Sequence, residues 1–365
     1  MLQGYLGPQK IDIRAWSNEL YKKDAMSIDI ILRETDYDVD MTAKISGLDK
    51  KQVQERKDTI MVYKDKLANL IKIPKIEQKT PEWYEARHTV ISASDFAQAV
   101  NEGKFGTQRD LIIKKVDPPE YGVMNNPFFI HGNMFEPVAN AVYSTMYNVH
   151  IYEFGLLKHP HVSFLAASPD GITDDGIMVE IKCPLKRKIG GDVPRQYYYQ
   201  IQGQLDVCDL DECDYFECEF ALCRSNWEFE ASRFTKGVIA KIGEGDYVYG
   251  PLVLAAESQD TSAVKAFAKG YSTGLLYWVM KAYNIKRVTR DKQFMKEKIP
   301  ELKEVWDKIL FYRENRDAFK KDIMQFIEIE TELVNLPKGK CLFVEPEPEP
   351  ELEINIPKFA FRSGV

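Results

Sequence analysis

From Ile177 to Pro184 the chain reads Ile-Met-Val-Glu-Ile-Lys-Cys-Pro, an apolar run interrupted by a carboxylate and an ammonium two residues apart. A strand alternates its faces with period two, so Glu180 and Lys182 share one face and Ile181 takes the other. Charge inside an apolar strand is costly unless it is paired or bound. The segment therefore demands a sheet with one buried polar patch, and it marks that patch as a candidate site. A structural ion pair is the competing reading.

The neighbouring segments supply more oxygen donors. Phe164 to Ser168 reads as a buried strand, and Pro169-Asp170-Gly171 ends it in a turn, with Asp170 at the strand end. Asp170 and Glu180 then come from neighbouring strands. His131-Gly132-Asn133-Met134-Phe135-Glu136-Pro137 leads into a helix whose apolar stripe is Ala139, Val142, Tyr143 and Met146. Glu136 lies on the packed side of that helix, or else serves as a first-turn complement to the helix dipole. Pro194 to Gln204 reads as a helix begun by proline, with Tyr197, Gln200 and Gln204 on one face. An antiparallel pair follows, Tyr215–Cys223 and Trp227–Phe234, turning at Arg224-Ser225-Asn226.

Three carboxylates converging on one point repel unless a hard divalent cation neutralises them, and Mg²⁺ takes such oxygen ligands. Lys182 beside it would orient or deprotonate a water and stabilise a developing anion. That combination suits metal-assisted phosphodiester hydrolysis. Upstream, Thr80-Pro81-Glu82-Trp83 is a helix start with threonine as cap, which puts Trp83 and Arg87 one turn apart. Val90 to Phe96 is a turn with two hydroxyls that opens a second helix. Arg87 with Ser94 at that start would form a phosphate site; the plain alternative is a serine cap beside a surface arginine.

Asp170 followed by Glu180-Ile181-Lys182 resembles the PD-(D/E)XK nuclease signature, with Ser168-Pro169-Asp170-Gly171 supplying the PD. The whole series is similar to the lambda-type exonucleases, the YqaJ-like viral recombinase family. Its motifs are matched in order by Trp83, Arg87 and Ser94, by Gly132 and Glu136, by Ser168 to Gly171, by Glu180 with Lys182 to Pro184, and by Gln200 and Gln202. The resemblance covers about residues 80–235. It implies an α/β fold, a twisted mixed sheet flanked by helices; the helical N- and C-terminal extensions lie outside the resemblance. It also implies Asp170, Glu180 and the Ile181 carbonyl as metal ligands, with Glu136 as a further, water-mediated one. Lys182 would then activate or position the water, Gln200 would support the centre, and Arg87 and Ser94 would grip a 5′-terminal phosphate. The implied cofactor is Mg²⁺, with Mn²⁺ as substitute. The implied activity is 5′→3′ degradation of one strand of linear duplex DNA, leaving 3′ single strands for recombination or repair. A ring of identical subunits is implied by relatives, and the acidic tail with its apolar end suits docking of a single-strand annealing or binding protein.

The rest of the chain limits the alternatives. With 44% apolar and 29% charged residues among 365, it has a globular composition. Apolar runs of only a few residues exclude a membrane-spanning helix, and Met1 to Tyr5 lacks the basic head of a signal peptide. Six cysteines are too few for a disulfide scaffold and point to a reducing intracellular compartment, a host cytoplasm or nucleus if the source is viral. Four of them, Cys208, Cys213, Cys218 and Cys223, recur every five residues. Three fall on one predicted strand, on opposite faces and over roughly 33 Å, so no iron–sulfur cluster is expected. Five of the seven excess negative charges sit in the alternating Glu-Pro stretch Glu345 to Glu353.

The expected organisation is a helical extension over 1–79, a nuclease core over 80–235, a helical region over 236–340 and an acidic tail with an apolar end over 341–365. Within the first, Leu48 to Ile71 carries an apolar stripe at Val53, Ile60, Tyr63, Leu67 and Leu70. Residues 41–80 hold ten Lys/Arg against five Asp/Glu, a solvated helix face or a local basic surface. Within the third, helices are expected over Ser262 to Tyr283 and Glu301 to Leu333. Besides the exonuclease, two readings stay open: a structure-specific or restriction-type endonuclease of the same fold, and a catalytically idle DNA-binding scaffold.

Overall fold

A computed structural model of the chain describes residues 25–118 and 126–324. The acidic tail and residues 325–333 lie outside the described residues; the helix expected over Glu301 to Leu333 runs instead from Lys292 to Glu314. Residues up to Glu314 form one compact unit and those from Asn315 a second.

The first unit opens with three helices, α1 (Ala25–Glu34), α2 (Val39–Ser46) and α3 (Lys50–Leu70). Helix α3 starts in a capping box: Asp49 accepts from the Lys51 N–H, and Gln52 accepts from the Asp49 N–H. Its buried residues are Val53, Ile60, Tyr63, Leu67 and Leu70, the stripe expected from the spacing. Leu32, Ala43, Val53 and Ile60 form the small core shared by these helices. Of the basic residues of this region, Lys44, Lys50, Lys51, Lys72, Lys75 and Lys79 are exposed, and Arg56, Lys57, Lys64 and Lys66 turn inward. Arg56 grips Asp29 at 2.6 Å and Glu212 at 2.7 Å. Lys66 pairs with Asp211 at 2.5 Å, and Lys64 reaches the Tyr37 hydroxyl at 2.6 Å.

Next come α4 (Pro81–His88), strand β1 (Ile91–Ser92), a 3₁₀ turn (Ala93–Asp95), α5 (Phe96–Ala99), α6 (Gln108–Val116) and α7 (Pro127–Tyr147). Five short strands follow: β2 (Ile151–Tyr152), β3 (Leu157–Lys158), β4 (Leu165–Ala167), β5 (Gly171–Thr173) and β6 (Met178–Lys182). Then come α8 (Arg195–Val207), β7 (Glu212–Leu222), α9 (Asn226–Ala231), β8 (Thr235–Lys241), β9 (Tyr247–Val253), α10 (Ser262–Ala268), β10 (Leu275–Thr289) and α11 (Lys292–Glu314). The strands make a seven-stranded mixed sheet, ordered β2-β5-β6-β7-β10-β8-β9, and a three-stranded one, β1-β4-β3. In the larger sheet β6 and β7 run parallel, and the other pairs are antiparallel. The mixed sheet with flanking helices is the α/β class expected.

Helix α7 lies on one face of the larger sheet. Phe135, Val138, Val142 and Tyr143 share a core with Val179, Ile181, Phe216, Cys218 and Phe220. Phe135 stacks on Phe220 with ring centroids 4.7 Å apart. Full burial of such side chains contributes about 1.5–3 kcal/mol each. Helix α8 carries the opposite, polar face of β6. It also sits directly on the turn after β1, because position 203 is glycine: a Cβ there would meet Phe96 at 2.4 Å. Arg287 on β10 ties the layers together, bonding Asp29 at 3.0 Å, Glu212 at 2.6 Å and Asp214 at 2.5 Å.

Several sequence expectations are corrected. The second strand of the pair placed at Trp227–Phe234 is helix α9: Ser225 caps it by accepting from the Glu228 N–H at 3.2 Å. Phe229 is buried and Trp227 is 78% exposed, so the apparent alternation there was not a strand face. The antiparallel partner of β7 is β10, 56 to 77 residues further on, in a register that runs from Leu222↔Trp278 to Glu212↔Thr289. The region 236–340, expected helical, contains β8, β9 and β10. Helix α10 stops at Ala268, Gly274 takes φ +77°, and the aromatic and β-branched run after it pairs on both sides. Helix α7 begins at Pro127, with Asn126 as cap, so Pro137 lies inside it and Glu136 stands in its third turn instead of its first. In the second unit, the described residues form a short helix α12 (Arg316–Phe319) and a π turn (Lys320–Met324).

Candidate active site

Strand β6 ends at the site. Pairing of β5 with β6 sets Gly171 opposite Val179, which brings Asp170, just ahead of β5, to the end of β6. The Ile181 N–H donates to Asp170 Oδ2 at 2.7 Å. Glu180 is fully buried and points away from the α7 side. Lys182 Nζ donates to Glu180 Oε1 and, at 3.2 Å, to the Ile181 carbonyl; it also lies 5.1 Å from the Tyr197 ring centroid. The other oxygen of Glu180, Oε2, accepts from Gln204 Nε2 at 2.8 Å.

The charges at this point are unbalanced. Burial pushes the Asp170 carboxyl well above the usual carboxylate range, and the negative charges of Glu180 and Glu136 add to it. Lys182 and the Ile181 N–H pull the other way without cancelling the rise. Burial alone would lower the Lys182 ammonium, but Glu180 and Asp170 outweigh it and hold the group above its ordinary value. Lys182 is therefore a proton-bearing cation here, suited to orienting a water or stabilising an anion more than to abstracting a proton.

Two buried carboxylates and a backbone carbonyl at one strand end fit a hard cation such as Mg²⁺, which takes one or two carboxylates and keeps several waters. Glu136 does not join them in a closed group. It projects from α7, which covers the other face of the sheet, is 37% exposed, and lies 3.8 Å from Lys79 Nζ. Among the described residues no set of three His, Cys, Asp or Glu side chains stands at metal-holding distances. Asp170 and Glu180 thus stand together at the strand end, and Glu136 acts on Asp170 through its charge.

A second cluster adjoins the first. Thr80 caps α4, accepting from the Trp83 N–H at 3.3 Å. The Arg87 guanidinium lies 4.5 Å from the Trp83 ring centroid and donates to Ser92 Oγ and Ser94 Oγ, both at 2.9 Å. Trp83 Nε1 donates to Ser168 Oγ at 3.1 Å, so the ring under Arg87 is tied to the turn that carries Asp170. Beneath the cluster, Asp95 accepts from Ser92 Oγ at 2.7 Å and pairs with the buried Lys115 at 3.0 Å. The helix expected to open at Ser94 is a three-residue 3₁₀ turn and a four-residue helix, too short to provide a helix-terminal anion site. Arg87 and the two hydroxyls carry the cluster instead.

Helix α8 brings a further glutamine to the site. Gln200 is half-buried, and the glutamine that bonds Glu180 is Gln204, one turn later. The shared face of Tyr197, Gln200 and Gln204 was the available signal; the register that selects Gln204 depends on how β6 seats α8. Burial pushes the Cys183 thiol up, well out of the thiolate range. Cys218 packs in the α7-facing core, while Cys213, five residues earlier, is buried on the other side of β7.

Residues 82–211 match the model of the YqaJ-like viral recombinase domain. An uncharacterized protein of Acanthamoeba polyphaga mimivirus is 26% identical over 320 residues, or 70% of this chain and 56% of that protein. The chain thus spans about half the length of the curated relative it matches. Among solved structures, an alkaline exonuclease from Laribacter hongkongensis is 20% identical, with a TM-score of 0.43 over 66% of this chain and 99% of its own. A phage-related exonuclease from Haemophilus somnus 129PT is 13% identical, with a TM-score of 0.37 over 64% and 98%. The matched stretch, residues 82–211, holds Arg87, Ser94, Glu136, Asp170, Glu180, Lys182 and both candidate glutamines, so the residues of both clusters fall within the similarity to the YqaJ-like viral recombinase domain.

Proposed function

We propose that the chain is a Mg²⁺-dependent DNA exonuclease that degrades the 5′ strand of linear duplex DNA and leaves 3′ single strands. The observation that carries this reading is the buried Asp170, Glu180 and Lys182 set, joined through Ser168 and Trp83 to the Arg87 cluster. Asp170, Glu180 and the Ile181 carbonyl would hold the metal, which supplies charge neutralisation at the phosphate and a more acidic bound water. Lys182, protonated beside Glu180, orients the attacking water and stabilises negative charge developing on the phosphate. Arg87 with the Ser92 and Ser94 hydroxyls grips a terminal 5′-phosphate by charge-assisted hydrogen bonds, and Trp83 fixes the guanidinium plane. Support for DNA as the substrate also comes from the match of residues 82–211 to the YqaJ-like viral recombinase domain. A ring of subunits and a single-strand annealing partner belong to the same reading. Among the described residues no helix is long and apolar enough to cross a membrane.

The end cluster gives a direct test. The wild type is expected to degrade 5′-phosphorylated linear duplex faster than the 5′-hydroxyl form. Arg87→Ala removes charged hydrogen bonds worth about 1.5–3 kcal/mol, so most of a roughly 10–100-fold preference should vanish. Equal wild-type rates on the two ends would refute the end pocket and favour cutting within DNA.

A further inference from the structure

Helix α8 buries two glutamines whose amides do different things. Gln202 uses both ends to hold the chain together: Nε2 donates to the Thr289 carbonyl at 2.9 Å, and Oε1 accepts from the Asp291 N–H at 2.6 Å. This clamps α8 to the link between β10 and α11. Gln204 is 1% exposed and donates from Nε2 to Glu180, but its Oε1 is buried with no partner among the described residues. A buried amide oxygen without a donor is destabilising, and an apolar side chain of equal length would fill the slot without that cost. Packing therefore does not account for a glutamine at 204. What it adds is one N–H aimed at the carboxylate oxygen that Lys182 does not hold.

We infer that Gln204 is a positioning residue for Glu180. Its amide anchors Oε2 and fixes the plane of the carboxylate, while Oε1 faces Lys182 at the open end of β6. Lys182 alone could swing the carboxylate about its own axis; a second, opposed contact from a different element removes that freedom. Groups that orient a metal ligand set its affinity without touching the metal. The inference rests on the reading of Glu180 as a cation ligand.

The experiment compares wild type, Gln204→Met and Gln202→Met as full-length proteins. Mn²⁺ binding without DNA is followed from the paramagnetic resonance of the free ion, beside the Mg²⁺ half-saturation for hydrolysis and the melting temperature. Gln204→Met is expected to weaken Mn²⁺ binding and raise the Mg²⁺ half-saturation by about 10–100-fold, with little change in melting temperature. Gln202→Met is expected to lower the melting temperature and leave Mn²⁺ affinity at the wild-type value. Gln204→Asn keeps the amide but shortens its reach, and should shift Mn²⁺ affinity in the same direction if Gln204→Met does not fold. Wild-type metal affinity in both position-204 variants, or an equal shift in Gln202→Met, overturns the positioning role. A wild type that neither binds Mn²⁺ nor hydrolyses DNA overturns the reading of the site itself, and is recognised because it needs no variant.

Discussion

Lys182→Ala and Glu180→Gln should each slow DNA hydrolysis by roughly 10²–10⁴-fold, the range for losing a group that acts on a proton or charge in the transition state. Both side chains sit at the end of β6 and touch each other, so either change dismantles the same pair. Glu180→Gln preserves shape and keeps an oxygen toward the Gln204 amide, so the fold should survive. Duplex binding, measured with Ca²⁺ in place of Mg²⁺, should stay near wild type, because the Arg87 cluster is untouched. Single-turnover rates on a linear duplex check this, and a variant with wild-type rates would show that β6 carries only a structural ion pair.

Asp95→Ala should be the most destabilising single change near the site, by about 3–5 kcal/mol, the range for removing one partner of a buried ion pair. Lys115 is 2% exposed and would keep only the Arg87 and Val90 carbonyls, each at 2.7 Å. Those carbonyls lie in the last turn of α4 and just ahead of β1, so the end cluster should loosen as well. The effect has a defined pH dependence. Burial opposes the Asp95 charge, but Lys115, Lys114 and Arg87 outweigh it and hold the carboxyl far below the usual range. A depressed carboxylate contributes its full stability above the unfolded value of about 4 and loses it as pH falls toward the folded value. The gap between wild type and Asp95→Ala in urea denaturation should therefore be widest near neutrality and shrink below about pH 4. A gap that grows on acidification would contradict the assignment.

Which parts could be read from the chain follows from the range of the interactions involved. Helix α3 was legible because its buried stripe, its cap and its end are local. Strand β6 was legible because a Glu-x-Lys in an apolar run has few structural uses. Longer-range choices were not. Strand β10 pairs with β7 across a gap that includes α9, β8, β9 and α10, and no local signal names that partner. Trp227 and Phe229 alternate as a strand would, yet the Ser225 cap makes them helical and leaves Trp227 in solvent. Glu136 was expected as a further, water-mediated ligand; it is partly exposed beside Lys79, and its charge acts on Asp170 from a distance that no helical spacing predicts. The choice of Gln204 over Gln200 was hidden for a related reason: both lie on one side of α8, and only its depth against β6 decides which reaches Glu180.

The account stands most directly on one digestion. Linear duplex DNA carrying 5′-phosphates, with the two strands distinguishably labelled, is incubated with the protein in Mg²⁺ and in EDTA, beside a closed circular duplex of the same sequence. The account predicts progressive loss of each strand from its 5′ end in Mg²⁺, intact 3′-ended single strands as product, no reaction in EDTA and an untouched circle. An uncut linear duplex in both Mg²⁺ and Mn²⁺, or loss that proceeds from 3′ ends, would contradict it.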